Sequence, residues 1–152
     1  MTKVTYLLVI FLVSTALVSA EVVRKQVRNP DGTMSYVFYS EGKEVAKQIV
    51  GGDGNIIKSE GKIPDGIVKE YYKSGKLKGE GIVKDGIVEG IVKEYYESGK
   101  LKGEWNLKNG KLDGESKRYY ESGTIRCIDT YKNGVKIDRK SYDEQGTLQK
   151  EE

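Results

Sequence analysis

A dozen residues, KEYYKSGKLKGE, occupy positions 69–80 and return at 93–104 as KEYYESGKLKGE. Eleven of the twelve are identical, and the copies lie 24 residues apart. Repetition at a short fixed period constrains a fold strongly, because no unit can bury its apolar face alone and each must stack on its neighbours. The register extends to whole units at 66–89, 90–113 and 114–137. A shorter echo from Arg139 keeps Tyr142, Gly146 and Leu148 but falls one residue short of the period.

Glycines punctuate the repeat at Gly75, Gly86, Gly99, Gly110, Gly123, Gly134 and Gly146, in steps of 11, 13, 11, 13, 11 and 12. Each follows polar turn residues, as in KSG, KDG, ESG and KNG, where glycine supplies the positive φ that closes the turn. Segments of about eight residues between such signals read as an antiparallel meander of hairpins. Weaker marks at Gly32, Gly42, Gly54 and Gly66 carry the pattern upstream. Within 101–108, Leu101, Gly103, Trp105 and Leu107 alternate with Lys102, Glu104, Asn106 and Lys108, the period of a strand. The four glycines in 90–113 weigh heavily against a helix.

Turn type sets the register. A three-residue ESG loop pairs Tyr96 with Lys100 and Tyr95 with Leu101, and sets Glu94 across from Lys102. The preceding unit offers the same ion pair, Glu70 with Lys78, whereas the next one opposes Arg118 to Arg126. KNGK can form a two-residue turn pairing Leu107 with Leu112, in which case a compensating bulge is needed and Gly90 and Gly114 are its candidates. Both turn geometries are compatible with the sequence.

Residues 1–20 have the order of a secretory signal: Lys3, an apolar run over 4–18, then Ser19 and Ala20. The expectation is a cleaved signal helix and an exported chain starting at Glu21, rather than a membrane anchor, since the run is at the short limit of the ~20 residues a spanning helix needs. Residues 21–53 then form degenerate N-terminal hairpins, 54–149 the repeat region and 150–152 a tail. Without Lys3, 25 basic residues face 23 acidic ones, a balance that argues against nucleic acid as a partner. Cys127 is the only cysteine and histidine is absent. Neither a disulfide, an ordinary Cys-His nucleophile nor a metal or cofactor site is expected.

The pattern G-x-x-x-x-Y-Y-x-x-G-x-L, present at 66–77 and 90–101 and with Ile125 in its last place at 114–125, resembles the MORN repeat variant of secreted bacterial proteins and YwqK-like antitoxins. The resemblance covers 54–149. It implies a non-enzymatic scaffold of stacked β-hairpins, in some members neutralising a toxin, and MORN repeats are also linked to membrane lipid. Two departures stand out: Glu115-Ser116 replaces Ile-Val, and Asp143 replaces the second tyrosine.

Several residues stand out as candidate sites. Tyr71, Tyr95 and Tyr119 share a face with Leu77, Leu101 and Ile125, and packing is their expected role. Tyr72, Tyr96 and Tyr120 fall on the opposite, polar face beside Lys78 and Lys102. Cross-strand packing accounts for that row, and a row of rigid amphipathic rings is also the makeup of a protein-binding hot spot. Trp105 is expected to fill the core opposite Ile91, and Cys127 to be buried and inert. The GGDGN stretch at 51–55 reads as a turn, since no Gly-Lys-Ser/Thr follows to bind phosphate. Matching Lys and Glu rows suit a solvated face better than a polybasic membrane patch. The apolar face must be covered by the N-terminal hairpins, by curling of the sheet or by a second molecule. The expectation is an exported non-enzymatic scaffold that binds a protein through its sheet face or edge. Alternatives are an antitoxin, a peripheral membrane or cell-wall glycan binder, and, compatible with each, a homo-oligomer.

Overall fold

The computed structural model describes residues 21–52 and 56–149. The signal segment, the tip of the 51–55 turn and the tail lie outside the described residues. Thirteen strands are present: β1 (Val22–Arg28), β2 (Met34–Ser40), β3 (Lys43–Val50), β4 (Ile56–Gly61), β5 (Gly66–Tyr71), β6 (Leu77–Lys84), β7 (Ile87–Tyr95), β8 (Leu101–Lys108), β9 (Lys111–Leu112), β10 (Gly114–Tyr119), β11 (Ile125–Lys132), β12 (Val135–Tyr142) and β13 (Leu148–Gln149). They join in one sheet of order β13-β12-β11-β10-β8-β7-β6-β5-β1-β2-β3-β4, with β9 attached to β8 alone. The simple meander expected from the sequence holds on each side of one joint. There β1 pairs in parallel with β5 through Val22↔Val68, Val23↔Lys69 and Arg24↔Glu70.

Two kinds of turn alternate along the repeats. At the ESG-type turns, the amides of Tyr72, Tyr96 and Tyr120 donate to the carbonyls of Lys76, Lys100 and Thr124 at 2.8–2.9 Å. Tyr95 pairs with Leu101, as the three-residue loop requires. At the other turns the chain reverses in two residues, with positive φ at both Asn109 (52°) and Gly110 (72°) and likewise at Asp85–Gly86 and Asn133–Gly134. This is the mirror-image turn whose twist matches that of the strands, and it pairs Leu107 with Leu112. Gly90 (φ 77°) and Gly114 (φ 96°) stand where compensation is required.

A further irregularity changes which side chains share a face. The register slips by one residue after each ESG-type loop, so that Glu94 lies across from Gly103 rather than Lys102. Lys102 is the extra residue of a bulge, and Lys78 and Arg126 occupy the same place in their units. Beyond the bulge the alternation inverts. Leu101 stays with Tyr95, while Gly103, Trp105 and Leu107 lie on the other face with Val92 and Glu94. Trp105 therefore sits opposite Val92, not Ile91, and Arg118 opposite Cys127, not Arg126.

The N-terminal strands curl over that second face. Four strand positions separate β4 from β5, roughly 19 Å in a flat sheet, and residues 62–65 bridge them. The bridge closes only if the sheet bends. Accordingly Val22, Phe38, Ala46, Ile63 and Val83 form one buried cluster although they come from separate strands and the bridge itself. Of the three expected covers for the apolar face, curling by the N-terminal hairpins is the one used at this end. Phe38 is 5 % exposed, and Phe38→Ala should lower stability by about 3 kcal/mol, measured as a lower urea midpoint.

Candidate functional site

The second tyrosines do not form a free outward row. Tyr72 and Tyr96 donate their hydroxyls to the backbone carbonyls of Tyr95 and Tyr119 at 2.6 Å, and Tyr120 donates to that of Tyr142 at 2.9 Å. Lys76 and Lys100 reach the carbonyls of Glu97 and Glu121 at 2.9 Å along the same edge. The rings are half-buried, and the guanidinium of Arg126 lies 5.7 Å above that of Tyr120. This row thus joins each repeat to the next. The two lysine candidates are likewise engaged: Lys78 binds Glu70 at 2.6 Å and Lys102 binds Glu94 at 2.9 Å.

The tight-turn edge has a matching device that the sequence reading missed. Asp65 accepts the amide of Asp85 at 2.8 Å, Glu89 that of Asn109 at 2.8 Å, and Asp113 that of Asn133 at 3.0 Å. An acidic residue every 24 positions was the available signal. The first tyrosines do more than pack. Tyr71 donates to Glu21 at 2.6 Å, Tyr95 to Glu80 at 2.8 Å and Tyr119 to Glu104 at 3.0 Å. The Glu21 carboxylate pushes the Tyr71 phenol up to about 12, and burial with the Glu80 hydrogen bond does the same for Tyr95. Leu77, Leu101 and Ile125 are half-buried across from these tyrosines.

The concave face holds an open groove of about 820 Å³. Its floor is low because Gly79 and Gly81 carry no side chains where the third unit has Cys127 and Asp129. Val68, Val88, Val92 and Leu107 give it an apolar lining, with Tyr36 and Phe38 contributed by the curled hairpins. Trp105, in the place of Gly81, bounds the floor. Its ring lies against Gly103, where an added Cβ would stand 2.6 Å from the ring.

Two buried carboxylates on this side of the sheet are each held by two cations. Glu70, 7 % exposed, is held by Arg24 and Lys78. Burial favours its neutral form, but the hydrogen bonds from Lys78 and Arg24 outweigh burial and hold its carboxyl below the usual range. In the third unit Asp129, 3 % exposed, is gripped by Arg139 at 2.5 Å and Arg118 at 2.8 Å. The Arg139 hydrogen bonds lower its pKa against burial, and Arg118 adds to the effect. Cys127 is buried between Arg118 and Ser141. Ser116 replaces the valines of earlier units, and its buried hydroxyl has no hydrogen-bond partner among the described residues.

Stapled hairpins of constant length, joined at both edges and carrying one groove, define a β-hairpin repeat protein. The family described as the MORN repeat variant matches residues 64–85, 88–109 and 112–133, so these three consecutive units are MORN-variant repeats. Each matched segment is one hairpin with its ESG-type loop at the centre, delimited by the tight turns. No curated protein matches the chain.

Two measurements test these bonds. Tyr96→Phe keeps the ring but removes the donor to Tyr119, and should cost about 1 kcal/mol, read by chemical denaturation. Tyr71 and Tyr95 have raised pKa values in the folded state, so their contribution is complete below the ordinary tyrosine value near 10 and is lost as pH rises towards about 12. Tyrosinate absorbance should therefore develop late for these two phenols, and Tyr95→Phe should remove its share of the late phase.

Proposed function

We propose that this protein is an exported, non-enzymatic scaffold that takes an apolar segment of a partner protein into its concave groove. The observation that carries the reading is the groove itself, in which an apolar lining is flanked by a buried carboxylate already engaged by cations. The groove offers a tryptophan and several valines, the composition of an interface centre. A non-enzymatic role is supported by the same pairing, since the buried carboxylates Glu70 and Asp129 are held ionised by two cations each rather than poised near neutrality. Export rests on the sequence of residues 1–20. The repeats are of a kind suited to binding, and the apolar lining supports a protein partner rather than a lipid surface, which would call for a dense polybasic patch.

Trp105 is the only tryptophan, so its emission reports groove occupancy directly. A partner recovered by crosslinking from the exported fraction should shift that emission on titration. Trp105→Ala should weaken binding by at least about tenfold, while Tyr72→Phe, which removes a hydroxyl outside the groove, should leave affinity within about twofold. Unchanged affinity for Trp105→Ala would exclude the groove as the site. Salt-sensitive flotation with anionic vesicles would support the membrane alternative instead.

A further inference from the structure

Among the described residues β4 ends the sheet on its side and is bonded to β3 alone. All six of its residues are exposed. An outer strand of this kind presents unpaired N–H and C=O groups to solvent and is a template for one more strand. The opposite end of the sheet is guarded. β13 covers β12 at Ser141 and Tyr142, and the remainder of β12 carries one bulge, at Ile137, against β11. It carries Lys136, Arg139 and Lys140 against Asp138 alone. Bulges and clustered lysines are the devices that keep an edge from pairing. On β4 the irregularity is confined to Ile57. From Lys58 to Gly61 the pairing with β3 is continuous, through Ile49↔Lys58, Gln48↔Ser59, Lys47↔Glu60 and Ala46↔Gly61.

We propose that β4 pairs with β4 of a second copy of this chain, antiparallel about a two-fold axis at Ser59. Antiparallel partners must turn their backbone groups the same way, so the axis passes through a residue pair and not between pairs. An axis at Lys58 or at Glu60 sets like charges face to face. An axis at Gly61 would draw in Ile63, which is buried in the core. At Ser59, by contrast, Lys58 faces Glu60 of the second copy and Glu60 faces its Lys58. Lys58 and Glu60 already pair at 2.5 Å within one chain, with side chains 61 % and 56 % exposed. Joining two copies therefore closes a ring of four alternating charges on one face of the extended sheet. The interface is isologous, the symmetry of most small oligomers. It closes both open β4 edges in a single step and so gives a dimer rather than a fibre.

The register makes the proposal testable with the intact protein. In the proposed pair the two Ser59 Cα atoms stand about 4.5 or 5.5 Å apart, depending on which backbone groups turn outward, and both distances suit a disulfide. Ser59→Cys should give a covalent dimer under mild oxidation at native dilution. Lys62→Cys, beyond the pairing, should not, and Cys127 is buried and serves as the background. Charge exchange gives an independent readout by sedimentation. Lys58→Glu or Glu60→Lys alone should weaken self-association by about tenfold, since each sets two pairs of like charges in opposition. A mixture of the two variants should restore it as a heterodimer. A monomer at every concentration, crosslinking at residue 62 as efficient as at 59, or failure of the mixture to restore association would each overturn the proposal. Association with a different protein through β4, and none with itself, would do so as well.

Discussion

The hydrogen bond from the second tyrosine of one unit to the backbone carbonyl of the next is the contact on which the repeat depends. A carbonyl is present whatever side chain the next residue carries, so the bond tolerates divergence between units. Tyr120 can join the end of β12, where the sequence has lost most of the motif. The opposite edge works by the same logic, with a carboxylate binding a turn amide 20 positions later. Two bonds of fixed reach on opposite edges lock the period. An inserted residue within a unit would put both out of register, and this explains why the three units keep one length while their sequences drift. Asp143 then closes the series. It replaces the donor tyrosine and binds the amides of Gln145 and Thr147 in its own loop at 3.0 and 2.8 Å.

The concave face is shaped where the units differ. One position holds Gly81, Trp105 and Asp129 in turn, and another holds Gly79, Gly103 and Cys127. On a shared backbone these changes grade the concave face from a hollow, through an aromatic wall, to a buried ionic cluster. The groove needs no dedicated loop. It follows from leaving out side chains in the first unit and setting a large ring in the second. The curled hairpins supply the remaining wall.

Much of this was legible in the residues. The period, the positions of the turns, the Tyr95–Leu101 pairing and the ion pairs of Glu70 and Glu94 follow from spacing and turn chemistry, whereas the type of the tight turns stayed open. The bulge at Lys102 was not, because a one-residue slip leaves no mark when the extra residue is a lysine among lysines. Its effect was large, since it moved Trp105 and Leu101 to opposite faces. The role of Tyr72, Tyr96 and Tyr120 was hidden for a different reason. Their acceptors are backbone atoms, which no pattern of side chains can reveal, and a solvent-facing row looks the same in sequence as a stapled one. The joint between β1 and β5 was equally hidden, for it links segments far apart in a region where the repeat has decayed.

That joint has a consequence for how the chain reaches its final form. From β6 onward, each strand pairs with one made within the preceding two dozen residues, so closing those loops costs little entropy. β1 must wait. Its parallel partner lies 46 residues downstream, as Val22↔Val68 records, and non-local pairing of this kind slows folding. During synthesis the first strand to emerge thus waits for three more strands to be made before its second neighbour appears. Until β5 arrives, the first four hairpin-linked strands are a free-standing sheet with both long margins bare. The order of manufacture runs outward from the seam twice, first to β4 and then to β13, and the core cluster around Val22 closes only when β6 supplies Val83.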